Sequence, residues 1–227
     1  MTKTTDTAKI AHAAHNGSGV QKTMPRSDSA KHGVTVSPAH TDVVFPHGNE
    51  THLIDMAERL GITHLILCYT LKDPLLKSRA KEVERLNDPA RHITTEFAIL
   101  VSNQQDVSRA KSVTKTVIGT ARPELFEDKR VTHIIDMESG RRDDFIHHRN
   151  SGLNQVFIAN AIMGDKTLLI DAKQLLFGDQ ARAVVLGRMR QNNLFYKKYS
   201  PRVMVVSGAS EPLEMRPWRD LQNLLDV

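Results

Sequence analysis

Between Gln180 and Ser210 the chain holds no acidic residue, yet Arg182, Arg188, Arg190, Lys197, Lys198 and Arg202 all fall there. Cations mounted at this density on rigid elements can neutralise the phosphates of a polyanion. The stretch fits one long helix followed by an apolar strand, Arg202-Val203-Met204-Val205-Val206. Projected at about 100° per residue, Ala181, Val184, Val185, Met189, Phe195, Tyr196 and Tyr199 form a broad apolar stripe. Arg182, Arg190 and Lys197 group on another side, within about a quarter turn. Arg188 and Asn192 sit one turn apart inside the stripe, where an arginine must find a partner. An ordinary amphipathic helix with solvated lysines gives a similar pattern. A surface that only solvates normally mixes charge signs, however, so the missing acids favour a binding face.

The segment Arg141 to Gly152 is the loop richest in cationic and hydrogen-bonding groups, with Arg141, Arg142, His147, His148, Arg149, Asn150 and Ser151. Arg and His pair with phosphates, while Asn and Ser reach sugars and base edges. Asp143 and Asp144 imply some internal pairing. A plain exposed loop with Asn150 and Ser151 as helix caps would explain its end but not its clustered Arg and His. After the apolar strand, Ser207-Gly208-Ala209-Ser210 has the small residues of a phosphate cradle and equally those of a tight turn. Arg216 and Arg219 follow. The residues expected to meet the polyanion are therefore Arg149, Asn150, Ser151, Arg182, Arg190, Lys197, Lys198, Ser207, Arg216 and Arg219.

A different chemistry is conceivable at the expected carboxyl ends of strands, where His47, Tyr69, Ser102, Asp136 with Glu138, and Asp171 fall. Acids with a histidine can bind a hard metal and hydrolyse a phosphoester. The eleven histidines include no His-x-His pair, and His64 and His92 fit structural roles better. No Ser/His/Asp or Cys/His triad is legible from spacing. Cys68, the single cysteine, lies in an apolar run and fits core packing. One cysteine permits neither an internal disulfide nor a cysteine metal site, which suits a reducing cytoplasm.

The elements that would position these groups alternate regularly. Expected strands are 42–45, 62–68, 93–101, 115–118, 131–136, 167–170 and 203–206. Helical patterns lie between them, including one opened by Ser151 or Gly152 and the basic one. Alternation without hairpin signals implies parallel pairing with helices outside. Neither a glycine-rich dinucleotide fingerprint nor a P-loop follows the first strand. The expected fold is α/β, an irregular TIM-like parallel (β/α) barrel of about seven strands over 41–227. Residues 1–40, rich in Thr, Ser, Ala, His and Lys, read as a disordered basic tail. The tail carries five Lys/Arg and two Asp, so it supplies +3 of the formal net charge of +5. The remaining basicity is thus local rather than global. No apolar run approaches membrane-spanning length, so no membrane partner is expected.

Two segments resemble a known family. His147-His148-Arg149-Asn150-Ser151-Gly152-Leu153-Asn154-Gln155 resembles the Arg-Ser-Gly-Leu-type segment of RNase P protein component 3, a barrel-like subunit of archaea and eukaryotes. Ser207 to Leu221, with its Ser-Gly-Ala turn, Pro212, Leu213, Met215, Arg216 and Arg219-Asp220-Leu221, resembles that family's C-terminal signature. The likeness is specific over about 139–227, loose over 41–138, and does not cover the tail. It implies a non-catalytic protein that binds the RNase P RNA, which itself matures the 5′ end of precursor tRNA. It also implies a small RRM-like protein partner and other RNase P proteins. No cofactor is expected on this chain, with Mg2+ belonging to the RNA. The family is similar in fold to metal-dependent phosphoesterases of the polymerase-and-histidinol-phosphatase type but lacks their ligand set. The alternative, a working phosphoesterase, expects metal at Asp136, Glu138 and Asp171. A third reading is a barrel enzyme with a sugar phosphate at Ser207-Gly208-Ala209.

Overall fold

Short apolar runs bounded by Gly, Pro, Asn and Asp become strands, and the amphipathic stretches between them become helices. The computed structural model describes residues 35–36, 40–139, 143–144, 146–147, 149–176 and 178–225. In chain order the elements are β1 (Thr35–Val36), β2 (Thr41–Val44), α1 (Glu50–Arg59), β3 (His64–Thr70), α2 (Leu76–Leu86), β4 (Thr94–Val101), α3 (Gln105–Lys111), β5 (Thr116–Thr120), α4 (Pro123–Glu127), β6 (His133–Ile135), α5 (Gln155–Met163), β7 (Thr167–Asp171), α6 (Asp179–Tyr199), β8 (Arg202–Val206) and α7 (Trp218–Gln222). Every pairing is parallel, in the order β1-β8-β7-β6-β5-β4-β3-β2. The seven expected strands are all present. At their carboxyl ends the two outermost of them meet: Phe45 N donates to Ala209 O at 2.7 Å, and Gly208 N donates to Val43 O at 3.2 Å. The sheet is thereby a nearly closed TIM-like barrel.

Strand side chains alternate between two apolar layers. Val43, Ile66, Cys68, Ala98, Ile118, Ile135, Leu169, Met204 and Val206 fill the barrel interior. Their neighbours Val44, Leu65, Leu67, Ile99, Val117, Ile134, Leu168 and Val205 pack outward under the helices. Burial on both sides explains why these strands are apolar along their length. Cys68 is a core residue, and burial pushes its thiol pKa far up. At the amino ends of the strands His64 pairs with Glu96 at 3.1 Å, and Glu96 also accepts from the Thr116 hydroxyl. His64 is therefore structural, as expected.

Two boundaries differ from expectation. The helix after the basic loop starts at Gln155, capped by Asn154, whose Oδ1 accepts from Phe157 N at 2.9 Å. Ser151 and Gly152 cannot start it, because Gly152 has φ +69° and the Ser151 hydroxyl is held elsewhere. The expected disordered tail lies largely outside the described residues. Within it Thr35–Val36 pair with Arg202–Val203, using the edge of β8 that the incomplete seam leaves open. Among the described residues no helix is long and apolar enough to cross a membrane.

Candidate nucleic-acid interface

Helix α6 runs for 21 residues without proline and stops at Ser200, in the left-handed region at φ +49°, just before Pro201. Val185, Met189 and Tyr196 bury its apolar stripe. Val184, Phe195 and Tyr199 are half-buried, while Ala181, at the barrel mouth, is exposed. Arg182, Arg190, Lys197 and Lys198 are exposed. Among the described residues Arg190, Lys197 and Lys198 make no ion pair. Arg182 donates Nε to Leu175 O at 2.8 Å, and Lys198 Nζ lies 5.1 Å from the Tyr199 ring centroid. One side of the helix is thus anchored and another presents cations.

Of the two polar residues inside the stripe, Arg188 has the partners that burial demands, whereas Asn192 is bonded through its amide nitrogen and its Oδ1 has no hydrogen-bond partner among the described residues. Arg188 is 0% exposed. Its Nε and Nη2 donate to Asp144 Oδ1 at 3.0 and 2.9 Å, and its Nη1 donates to Ser139 O. Asn192 Nδ2 donates to Glu138 Oε1 at 2.7 Å, and the Tyr196 hydroxyl donates to the same oxygen at 3.3 Å. Burial raises the Glu138 pKa to about 7 against the lowering effect of these bonds. A buried carboxylate and a buried guanidinium therefore fasten the loop after β6 to α6.

The described part of that loop lies against the helix. Gln191 treats the Arg149 backbone as a strand would, accepting from its N–H at 3.1 Å and donating Nε2 to its carbonyl at 3.0 Å. The same Nε2 donates to Ser151 Oγ at 3.1 Å. Asp144 is the hub. Besides Arg188 it accepts from Arg149 Nη1 at 2.8 Å and from Asn150 N at 2.9 Å. Desolvation works against ionisation there, but the bonds from Arg149, Asn150 and Arg188 win and hold the Asp144 pKa at about 2. The internal pairing expected of the two Asp is met by Asp144, whereas Asp143 contributes its backbone carbonyl, which accepts from Asn150 Nδ2 at 3.1 Å. Arg141, Arg142 and His148 lie outside the described residues.

The expected site residues thus divide. Arg149 is brought onto α6, the helix that also carries Arg182, Arg190, Lys197 and Lys198, while Asn150 is bonded within the loop to Asp143 and Asp144. Ser151 comes with Arg149 but is buried and committed to Gln191. Ser207 is no surface group: it is buried, its Oγ donates to Asp42 Oδ2 at 2.6 Å and its N–H to Asp42 Oδ1 at 2.6 Å. The Ser207-Gly208-Ala209 turn closes the barrel seam, and its backbone groups are spent on β2 rather than offered to a phosphate. Arg216 donates Nη1 to the carbonyls of Leu213 and Met215, both at 2.8 Å. Arg219 lies 5.7 Å from the Trp218 ring, which stacks on His40 at 4.3 Å. No described contact joins this pair to the α6 cations. Sequence reasoning missed Gln191 and the central part of Asp144. Both act across more than forty residues, beyond any local pattern.

The acids at the carboxyl ends do not assemble as a metal site. A cavity of 590 Å³ at the barrel mouth is lined by Asp136, Asp171, Lys173, Gln174 and Thr120 among others. Gln174 Nε2 donates to Asp136 Oδ1 at 3.0 Å, and burial raises the Asp171 pKa to about 6. Glu138 is drawn away under α6, and His47 pairs with Glu211 at 3.0 Å. Among the described residues no group of three His, Cys, Asp or Glu side chains could hold a metal ion.

No protein-family model matches the chain, and no curated protein matches it in sequence. Its fold is similar to a chain in a solved structure described as the cryo-EM structure of archaeal ribonuclease P with mature tRNA. The TM-score is 0.66 at 19% identity, covering 82% of this chain and 81% of the other.

Proposed function

We propose that this chain is a protein subunit of ribonuclease P, binding and supporting the RNA that matures the 5′ ends of precursor tRNAs. The observation that carries the reading is the likeness of fold, which spans about four fifths of both chains. The exposed α6 cations and the tethered Arg149 supply what such a role needs. Folded RNA concentrates phosphate charge, and fixed cations on a rigid barrel release its counterions and lower the magnesium required to compact it. The RNA-facing residues are Arg149, Arg182, Arg190, Lys197 and Lys198, with Arg216 and Arg219 as a separate basic spot. Catalysis and its Mg2+ belong to the RNA, so the protein acts in the cytoplasm as an accessory. Its partners are the RNase P RNA, a small RRM-like subunit, the other RNase P proteins and, through the holoenzyme, precursor tRNA.

The test is cleavage of precursor tRNA by the cognate RNase P RNA at limiting magnesium, with and without this protein and its small partner. Rescue with protein is expected. The double variant Arg190→Glu/Lys197→Glu should lose most of that rescue, whereas Asp136→Ala should keep it. A chain that gives no rescue, or one whose Asp136→Ala variant binds RNA but abolishes processing, would end the accessory reading.

A further inference from the structure

Helix α6 carries a glycine in its interior, Gly187, between Leu186 and Arg188. Glycine is the least favourable helix-interior residue after proline, so its presence asks for a local reason. The reason lies across the loop. A Cβ on Gly187 would stand 2.9 Å from Arg149 Nε, 3.0 Å from its Cζ and 3.2 Å from its Nη2. The Arg149 guanidinium rests on bare helix backbone, in space that any side chain would take.

The other edge of that guanidinium is fixed by charge. Arg149 Nη1 donates to Asp144 Oδ2 at 2.8 Å, while Asp144 Oδ1 receives Arg188 from beneath. Asp144 is thus shared between two arginines, and the trio keeps one net positive charge. The Arg149 backbone is also locked, by both hydrogen bonds of the Gln191 amide. Its side chain nonetheless remains 47% exposed, and among the described residues Nε and Nη2 have no hydrogen-bond partner. Arg190, three residues beyond Gly187, shares that face of the helix. A half-exposed planar fork, held at Nη1 by Asp144 and packed through Nε and Nη2 on Gly187 beside a second arginine, suits capture of a phosphate.

We infer that Asp144 and Gly187 form a seat that fixes Arg149 in advance as a phosphate anchor for the RNA backbone, which makes both of them positioning residues. The inference rests on the RNA-binding reading above. A floppy surface arginine loses rotamer freedom when it binds, whereas a seated one has lost it on folding. Asp144 supplies the direction and Gly187 the room.

Gly187→Ala tests this without changing any charge. The added methyl meets only the far end of a flexible side chain, and alanine is the better helix former. The fold should therefore stay intact, with a melting temperature equal to or above that of the parent. Binding of a transcript of the cognate RNase P RNA, measured at fixed salt on the full chain, should weaken by roughly five- to tenfold, the worth of one imperfectly placed charged hydrogen-bond pair. Arg149→Ala should weaken it by at least as much, and adding Gly187→Ala to Arg149→Ala should cost nothing further. Lys197→Ala should weaken binding by the same factor in either background. Parent-like affinity for a well-folded Gly187→Ala would overturn the seat, as would a loss that persists after Arg149 is removed. A parent protein with no salt-dependent affinity for the RNA would instead overturn the RNA-binding reading itself, and the seat with it.

Discussion

Asp42 is the residue on which closure of the barrel can be tested most sharply. Its carboxylate is fully buried and accepts from Ser207 N, Ser207 Oγ and Val43 N at 2.6, 2.6 and 2.8 Å. Burial raises its pKa to about 6, a greater effect than the lowering by Ser207 and Val43. A raised carboxyl pKa means that the folded chain holds this proton more tightly than the unfolded chain. The group's stabilising effect is complete below about pH 4 and is lost as pH rises to about 6. From the ordinary aspartate value of 3.8, the change corresponds to a loss of roughly 3 kcal/mol across that window. Asp42→Asn removes the charge, keeps an oxygen for the two N–H donors and offers an amide to the Ser207 hydroxyl. Its advantage over the parent should be near zero at pH 4, grow to pH 6 and stay level above. Recovering about half of that loss, about 1.5 kcal/mol, would raise the melting temperature by roughly 3–6 °C at pH 7.5 for a domain of this size. Asp42→Ala leaves three buried donors without an acceptor and should lose about 3 kcal/mol or more at pH 4, where no charge penalty is relieved. The assay is thermal unfolding by circular dichroism at pH 4, 5, 6 and 7.5. Comparing variants cancels groups of opposite sign, such as His133, whose pKa burial lowers to about 4. An Asp42→Asn protein less stable than the parent at pH 7.5 would refute the reasoning, because the charge-assisted bonds would then outweigh desolvation.

Two further substitutions probe the scaffold. Gly208→Ala puts a Cβ 2.0 Å from Asp171 Oδ1 at a residue with φ +62°, and should cost at least about 2 kcal/mol, read as a lower urea midpoint. An unchanged midpoint would mean that the Asp171 carboxylate does not pack on this turn. Lys166 is 2% exposed and its Nζ donates to the carbonyls of Asp128 and Val131 at 2.6 and 2.8 Å. Lys166→Met strands the Val131 carbonyl and leaves the Asp128 carbonyl with only Val131 N–H, at 3.1 Å, and should lower the melting temperature by roughly 4–8 °C, from a loss of about 2 kcal/mol. A methionine variant as stable as the parent would show that packing replaces those bonds in full.

Much of this architecture was legible because it is periodic. The regular spacing of apolar runs and amphipathic stretches exposed the seven strands and the long helix. Arg188 inside an apolar stripe announced a buried partner, though not which one, since Asp144 lies 44 residues away. What escaped was aperiodic. Thr35–Val36 form a strand of two residues, too short to show a period. Ser207-Gly208-Ala209 has the composition of both an anion cradle and a tight turn, and only Asp42, 165 residues distant, decides between them. Asn150 and Ser151 looked like helix caps because the residue types suit that role, but Asn154 holds the position. Gly187 did leave a trace, a helix-breaking residue in mid-helix, yet its meaning depends on where a separate loop lies.

The seam has a consequence for how the molecule comes into being. Strands β3 to β7 each find a neighbour made shortly before, so most of the sheet can grow as synthesis proceeds. The meeting of β2 with the turn after β8 joins the two ends of the folded chain, and no earlier segment can substitute for it. Loop closure of that length is slow, and it comes after most local contacts exist. Until β8 has been made the barrel is therefore an open, curved sheet in which β2 waits with an unpaired edge, the condition in which nascent chains pair wrongly with one another. Asp42 and Ser207 act as a late clasp, and a cell that overproduces this chain faster than the clasp can shut should accumulate aggregates built through β2.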